Sequence, residues 1–128
     1  MNKMTNKNNK SDYFVKGEQH RLKYRYSLAT SDFVKGYYKG CDKCQLALGI
    51  FYQNGVTVEK DYKKAVELWE KSSKQGNGKA TYKLAKAIDE GRGFEQDYEK
   101  GQQLFKKAYE QGYKFAKDRI DDKSNNDK

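Results

Sequence analysis

The side chains of this 128-residue chain best suited to chemistry are a single histidine and two cysteines, and their surroundings do not favour catalysis. Ser–His or Cys–His machinery would have to be assembled around His20, which stands in the charged stretch Glu18-Gln19-His20-Arg21-Leu22 and is expected to be exposed. Cys41-Asp42-Lys43-Cys44 has the spacing of half a zinc site, but the chain holds no second Cys or His pair to complete it. The same pair lies at the expected start of a helix, where a thiolate is favoured, so a redox role stands beside a packing role. Gly91-Arg92-Gly93 resembles a phosphate loop only in its glycines. No strand precedes it and no Lys-Ser/Thr follows in register, so it reads as a turn. Asp89-Glu90 and Asp121-Asp122 are helix neighbours that point in different directions, which suits surface charge better than an acid/base pair. The expectation is no catalytic residue, no cofactor, no metal and no small-molecule substrate.

Charge suggests a macromolecular partner instead. The net charge is +9, and residues 1–44 hold ten of the 27 basic side chains but only four of the 18 acidic ones. Such an excess speeds encounter with an acidic surface. Lys16, Arg21, Lys23, Arg25, Lys35, Lys39 and Lys43 surround Tyr24, Tyr26, Tyr37 and Tyr38, a mixture that also suits single-stranded nucleic acid. Acids interrupt the run, and no nucleic-acid motif accompanies it. A Lys-rich solvated surface without a specific partner accounts for the charge equally well.

The composition fits one domain with a moderate core, in which eleven Tyr and six Phe do much of the burying. No apolar stretch is long enough to span a bilayer, and the basic N-terminus lacks the apolar segment of a signal peptide. With only two cysteines, the expectation is a soluble, cytoplasmic protein without a membrane partner.

The chain repeats itself at a spacing of 36. Leu48 falls on Leu84, Gly55 on Gly91, Asp61-Tyr62-x-Lys64 on Asp97-Tyr98-x-Lys100, Leu68-Trp69 on Leu104-Phe105, Gln75-Gly76 on Gln111-Gly112 and Ala80 on Ala116. Each unit reads as two helices. In the first, Cys44, Leu48 and Tyr52, or Ala80, Leu84 and Ile88, line one face. Gly55 and Gly91 end it. Asp61 and Asp97 begin the second helix, whose buried stripe is Tyr62, Ala65, Leu68, Trp69 and Ser72, repeated as Tyr98, Gly101, Leu104, Phe105 and Ala108. Val56 or Val58, and Phe94, are expected to tuck between helices. Cys44 thereby shares the small slot of Ala80 and Ala116, which favours packing over redox chemistry.

Upstream the pattern weakens. Tyr26, Ala29, Phe33, Gly40 and Cys44 fall on Tyr62, Ala65, Trp69, Gly76 and Ala80, and Leu22, Tyr26, Ala29, Phe33 and Tyr37 form a stripe. The preferred reading is one helix over 18–39, with Tyr13 and Phe14 as a short cap; a rival register breaks it at Thr30-Ser31. The domain plan is a disordered tail over 1–10, a degenerate unit over about 11–42, units over 43–78 and 79–114, a capping helix over 115–122, and a disordered tail over 123–128.

The order Leu48-Gly49-x-x-Tyr52-x-x-Gly55-x-x-Val58-x-x-Asp61-Tyr62-x-Lys64-Ala65-x-x-Leu68-Trp69-x-Lys71-Ser72-x-x-Gln75-Gly76 resembles the Sel-one-like repeat, a relative of the tetratricopeptide repeat. The resemblance implies an all-α fold: an α-α superhelix, or solenoid, of about two and a half to three helix–turn–helix repeats with first helices on the concave side. It also implies adaptor and scaffold roles, including secretion, host–pathogen contact and toxin immunity, without naming a partner. The resulting expectation is a non-catalytic module for an acidic protein partner, most specifically a bacterial immunity or inhibitor protein. An adaptor and a single-strand nucleic-acid binder are the alternatives. Candidate contacts are the aromatic and basic positions outside the stripes: Arg21, Tyr24, Arg25 and Tyr38 near the N-terminus, and Phe51, Tyr82, Lys83 and Lys86 on the first helices.

Overall fold

The computed structural model describes residues 9–121, which contain helices and no strand. Six α-helices of 13 residues run in order: α1 (Lys10–Leu22), α2 (Tyr26–Tyr38), α3 (Asp42–Asn54), α4 (Tyr62–Lys74), α5 (Gly78–Glu90) and α6 (Tyr98–Glu110). They pack as the pairs α1/α2, α3/α4 and α5/α6, and each pair stacks on the next through α2/α3 and α4/α5. A short 3-10 helix, Lys114–Arg119, closes against α6 and buries Ala116. Of the tails expected to be disordered at 1–10 and 123–128, residues 1–8 and 123–128 lie outside the described residues, as does Asp122 at the end of the expected capping helix. Asn9 and Lys10 correct the expectation, since Asn9 caps α1 by accepting from the Ser11 N–H and Lys10 begins the helix.

Local sequence explains the helix boundaries. The carboxylates of Asp61 and Asp97 accept hydrogen bonds from the Lys64 and Lys100 N–H groups, both at 3.1 Å, and so cap α4 and α6. Gly55 and Gly91 end α3 and α5 at φ 70° and 73°, a left-handed conformation that costs least without a Cβ. Cys41 caps α3 through its sulfur, which accepts from the Cys44 N–H at 3.3 Å.

The N-terminal third corrects the sequence reading. No continuous helix covers 18–39, and the break is not at Thr30-Ser31. Instead α1 ends at Leu22, and Lys23-Tyr24-Arg25 turns the chain into α2. This is a full helical pair whose connection holds three residues, against seven in each later pair. The missing four residues shift α1 out of the 36-residue register and hide it from a gapless comparison. Leu22, placed in the stripe of a single helix, consequently sits at a helix end and is 67% exposed.

Two apolar clusters form the core. One joins Ala29 and Phe33 of α2 to Cys41, Cys44, Leu48 and Phe51. The other joins Leu46, Ala65, Val66 and Trp69 to Ala80, Leu84 and Ile88. Small residues set the helix spacing: a Cβ on Gly17 would overlap the Phe33 ring, and one on Gly49 would overlap the Trp69 indole. Polar bridges repeat with the units. Gln75 Nε2 donates to Gln45 Oε1 at 2.9 Å, and one unit later Thr81 Oγ1 donates to Gln111 Oε1 at 2.6 Å. Two members of the expected stripes lie further out: Tyr26 is 37% exposed, while Tyr98 is half exposed and donates its hydroxyl to Asp121. Val56 and Val58 are half-buried, and Phe94 is exposed at the surface beneath Lys100.

Candidate interaction surface

The first helices α1, α3 and α5 present one shared face. On α5, Lys79, Lys83 and Lys86 fall four and three residues apart and so form one stripe. Their repeat equivalents on α3 are Lys43, Ala47 and Ile50. With the shift of 32 that α1 requires, those on α1 are Ser11, Val15 and Glu18. Positive charge therefore rises along the face from α1 to α5. Between α1 and α3 lies a cavity of about 300 Å³ whose apolar wall is Phe14, Leu46, Ala47, Ile50 and Phe51, with Arg21, Lys43, Lys79 and Glu18 at its rim.

The cations on this face differ in their pairing. Arg21 is held by Glu18 through hydrogen bonds of 3.0 and 2.8 Å, and this contact raises its pKa further. Lys43, Lys79, Lys83 and Lys86 have no acidic partner within salt-bridge distance among the described residues. Three of them lie over rings instead: Lys43 over Phe14 at 5.7 Å, Lys83 over Trp69 at 5.9 Å and Lys86 over Tyr82 at 6.0 Å. Burial pushes the Lys83 pKa down, and Lys86 and Lys79 add to that through like-charge repulsion. An anion arriving here would meet cations that no carboxylate among the described residues pairs with.

The expected contact residues separate into groups. Tyr82, Lys83 and Lys86 belong to this face, and Tyr82 packs against Phe105 and Tyr113. Arg21 stands at the cavity rim. Phe51 is 4% exposed and packed edge-on against Phe33 and Tyr26, so it is a core residue rather than an exposed contact and meets the surface only as part of the cavity wall. Tyr24 and Arg25 occupy the α1–α2 turn. There Tyr24 is 79% exposed with φ at 61°, a strained value for a residue with a side chain. Tyr38 lies elsewhere, at the end of α2. Lys79, Leu46 and Ile50 were missed, although the recurrence of Lys43 at Lys79, one repeat on, was available as a signal.

The groups with chemical potential are occupied structurally. His20 is half-buried rather than exposed, and its Nδ1 lies 2.7 Å from an Asp32 carboxylate oxygen. Asp32 is itself only 8% exposed. Cys41 and Cys44 are free and buried, and desolvation, followed by the neighbouring Cys41, pushes the Cys44 thiol well above its ordinary range. Among the described residues no three His, Cys, Asp or Glu side chains are grouped to hold a metal, and no helix is long and apolar enough to cross a membrane.

Stacked, equal helix pairs with a cation-lined face define a helical-repeat solenoid. Residues 42–77 and 78–113 each match the Sel1 repeat, and the chain belongs to the Sel1 repeat family. Its fold is similar to that of a Sel1 repeat protein from Oxalobacter formigenes, with a TM-score of 0.80 and 25% identity over 88% of this chain and 49% of that one. It is also similar to a protective antigen present in uropathogenic Escherichia coli strains that displays an SLR fold. There the TM-score is 0.77, with 25% identity over 84% of this chain and 24% of that one. The chain thus spans about half the length of the first protein and a quarter of the second. Among curated proteins none matches its sequence. Repeats of this family generally serve as non-catalytic modules for protein–protein contact.

Proposed function

We propose that this protein binds an acidic protein partner through the face of α1, α3 and α5. The observation that carries this reading is the row Lys43, Lys79, Lys83 and Lys86, which has no carboxylate partner among the described residues and whose Lys43 and Lys79 border an apolar cavity. The gradient gives the ligand a direction: acidic groups over α5, and an apolar side chain between α1 and α3. Unpaired cations favour a ligand that supplies the missing charge, and the cavity supplies the anchor that distinguishes one acidic protein from another. The most specific form of this reading is an immunity or inhibitor protein acting on one folded target in the cytoplasm. The likeness to a bacterial protective antigen favours, as a second form, an adaptor in host–pathogen contact.

The test is a pull-down with the full chain at low and high salt, with and without nuclease. The expected partner survives nuclease, weakens as salt rises, and is lost from a Lys79→Glu/Lys83→Glu variant. Loss of every partner on nuclease digestion would replace this reading with nucleic-acid binding.

A further inference from the structure

The three helical pairs act as internal controls for one another, and on the outer side of the second helices the first pair departs from the other two. Residues 28, 34 and 38 of α2 correspond to 64, 70 and 74 of α4 and to 100, 106 and 110 of α6. The later units carry Lys64, Glu70 and Lys74, and Lys100, Lys106 and Glu110: six charged residues at six positions. The first unit carries Leu28, Val34 and Tyr38, which are 49%, 37% and 80% exposed. The shared fold does not require apolar side chains at these positions, since two units place charges there. Exposure of apolar groups against the pattern of the repeat marks a surface that something covers.

Val34 and Tyr38 also border a groove. With Thr30 and Tyr37 of α2, Leu48 and Tyr52 of α3, Val58, and Lys64 and Leu68 of α4, they enclose about 240 Å³. This groove lies between second helices, away from the first-helix face. Lys64 is its one charged lining residue, and it rests over the Tyr52 ring at 5.9 Å. Lys35 and Lys39, exposed on α2 one turn before Tyr38 and directly after it, have no ion-pair partner among the described residues. We infer that the α2/α4 groove is a second docking site, which takes an acidic segment of a partner protein and seats one aliphatic or aromatic side chain of that segment against Val34 and Tyr38. Charge complementarity selects this occupant. A second copy of the chain would bring a net charge of +9 against Lys35, Lys39 and Lys64.

The repeat supplies its own test variant. Leu28→Lys, Val34→Glu and Tyr38→Lys install the residues that α4 carries at the same positions, so the triple variant is expected to fold, with a circular dichroism spectrum and melting temperature no lower than those of the parent. The probe is a displayed library of random 12-residue peptides, selected on the full-length parent protein and counter-selected on the triple variant. The expected survivors combine acidic residues with one large apolar residue, and synthetic copies bind the parent at least tenfold more tightly than the variant. They retain their affinity for Lys79→Glu/Lys83→Glu, which separates this site from the first-helix face. Survivors without acidic residues, or no peptide that distinguishes the two proteins, would overturn the proposal. So would parent dimerisation in sedimentation that the triple variant abolishes, because a second copy would then be the occupant.

Discussion

Gly17 of α1 faces the ring of Phe33 in α2 so closely that a Cβ at residue 17 would overlap it, and Gly49 stands in the same relation to Trp69. The equivalent pair in the third unit is Ala85 and Phe105, both buried. A small residue on the first helix and an aromatic residue on the second thus recur at these positions in every pair. Gly17→Ala and Gly49→Ala are each expected to destabilise the fold by about 1–3 kcal/mol through overpacking, despite the better helix propensity of alanine. Thermal melts check this: each should lower the midpoint by roughly 4–8 °C per kcal/mol. An unchanged midpoint would mean that the rings yield freely.

The same pairing shows what could and could not be read from sequence. Gly49 and Trp69 are 20 residues apart, as are Ala85 and Phe105, whereas Gly17 and Phe33 are 16 apart because the α1–α2 turn is four residues shorter. The two regular units were legible because periodic apolar positions, Asp caps and Gly ends agree there. In the first pair only the second helix was legible; α1 and the turn after it were not, because a comparison without gaps cannot accommodate a shortened turn. Lys83 and Lys86 could be chosen from sequence as non-stripe positions, but the same rule admitted Phe51. Its burial depends on α2 packing beside α3, a relation that periodicity within one helix does not report.

His20 and Asp32 occupy the place that Tyr52 with Leu68, and Ile88 with Leu104, fill in the later units. Here a polar pair replaces apolar ones. His20→Ala strands a buried carboxylate and is expected to cost about 2–4 kcal/mol. The double change His20→Tyr with Asp32→Leu restores the apolar pairing and is expected to recover most of that loss. Chemical denaturation of the two variants decides it: equal loss in both would show that the His20–Asp32 contact is irrelevant to their stability.

Burial holds the Cys44 proton in the folded state more tightly than in the unfolded chain. The unfolded state therefore releases its proton first as pH rises, and stability falls through and above the ordinary thiol pKa of 9.0. Cys44→Ala, which installs the residue found at 80 and 116, should flatten that decline. Urea titrations of parent and variant between pH 7 and pH 10 compare the slopes. In the native protein both thiols should resist a disulfide reagent at pH 8 until the fold opens.

Lys83 carries the opposite shift. Its folded pKa is lowered, so the unfolded state holds the proton more tightly and the charge penalty is relieved as pH rises toward 10.5. Lys83→Met is expected to remove that penalty and slightly raise the melting temperature, while weakening an acidic partner by about two- to fivefold. Melting and affinity measured on the same preparation test the trade. Loss of both would show Lys83 to be structural.

The central claim is that uncompensated lysines on the α1, α3 and α5 face bind an acidic protein. The most direct measurement is a calorimetric titration of the nuclease-resistant partner into parent protein and into Lys79→Glu/Lys83→Glu, at low and at high salt. The predicted result is an affinity that falls steeply with salt for the parent, is at least tenfold weaker for the variant at low salt, and nearly converges between the two at high salt. Equal affinities for parent and variant at low salt would contradict the claim.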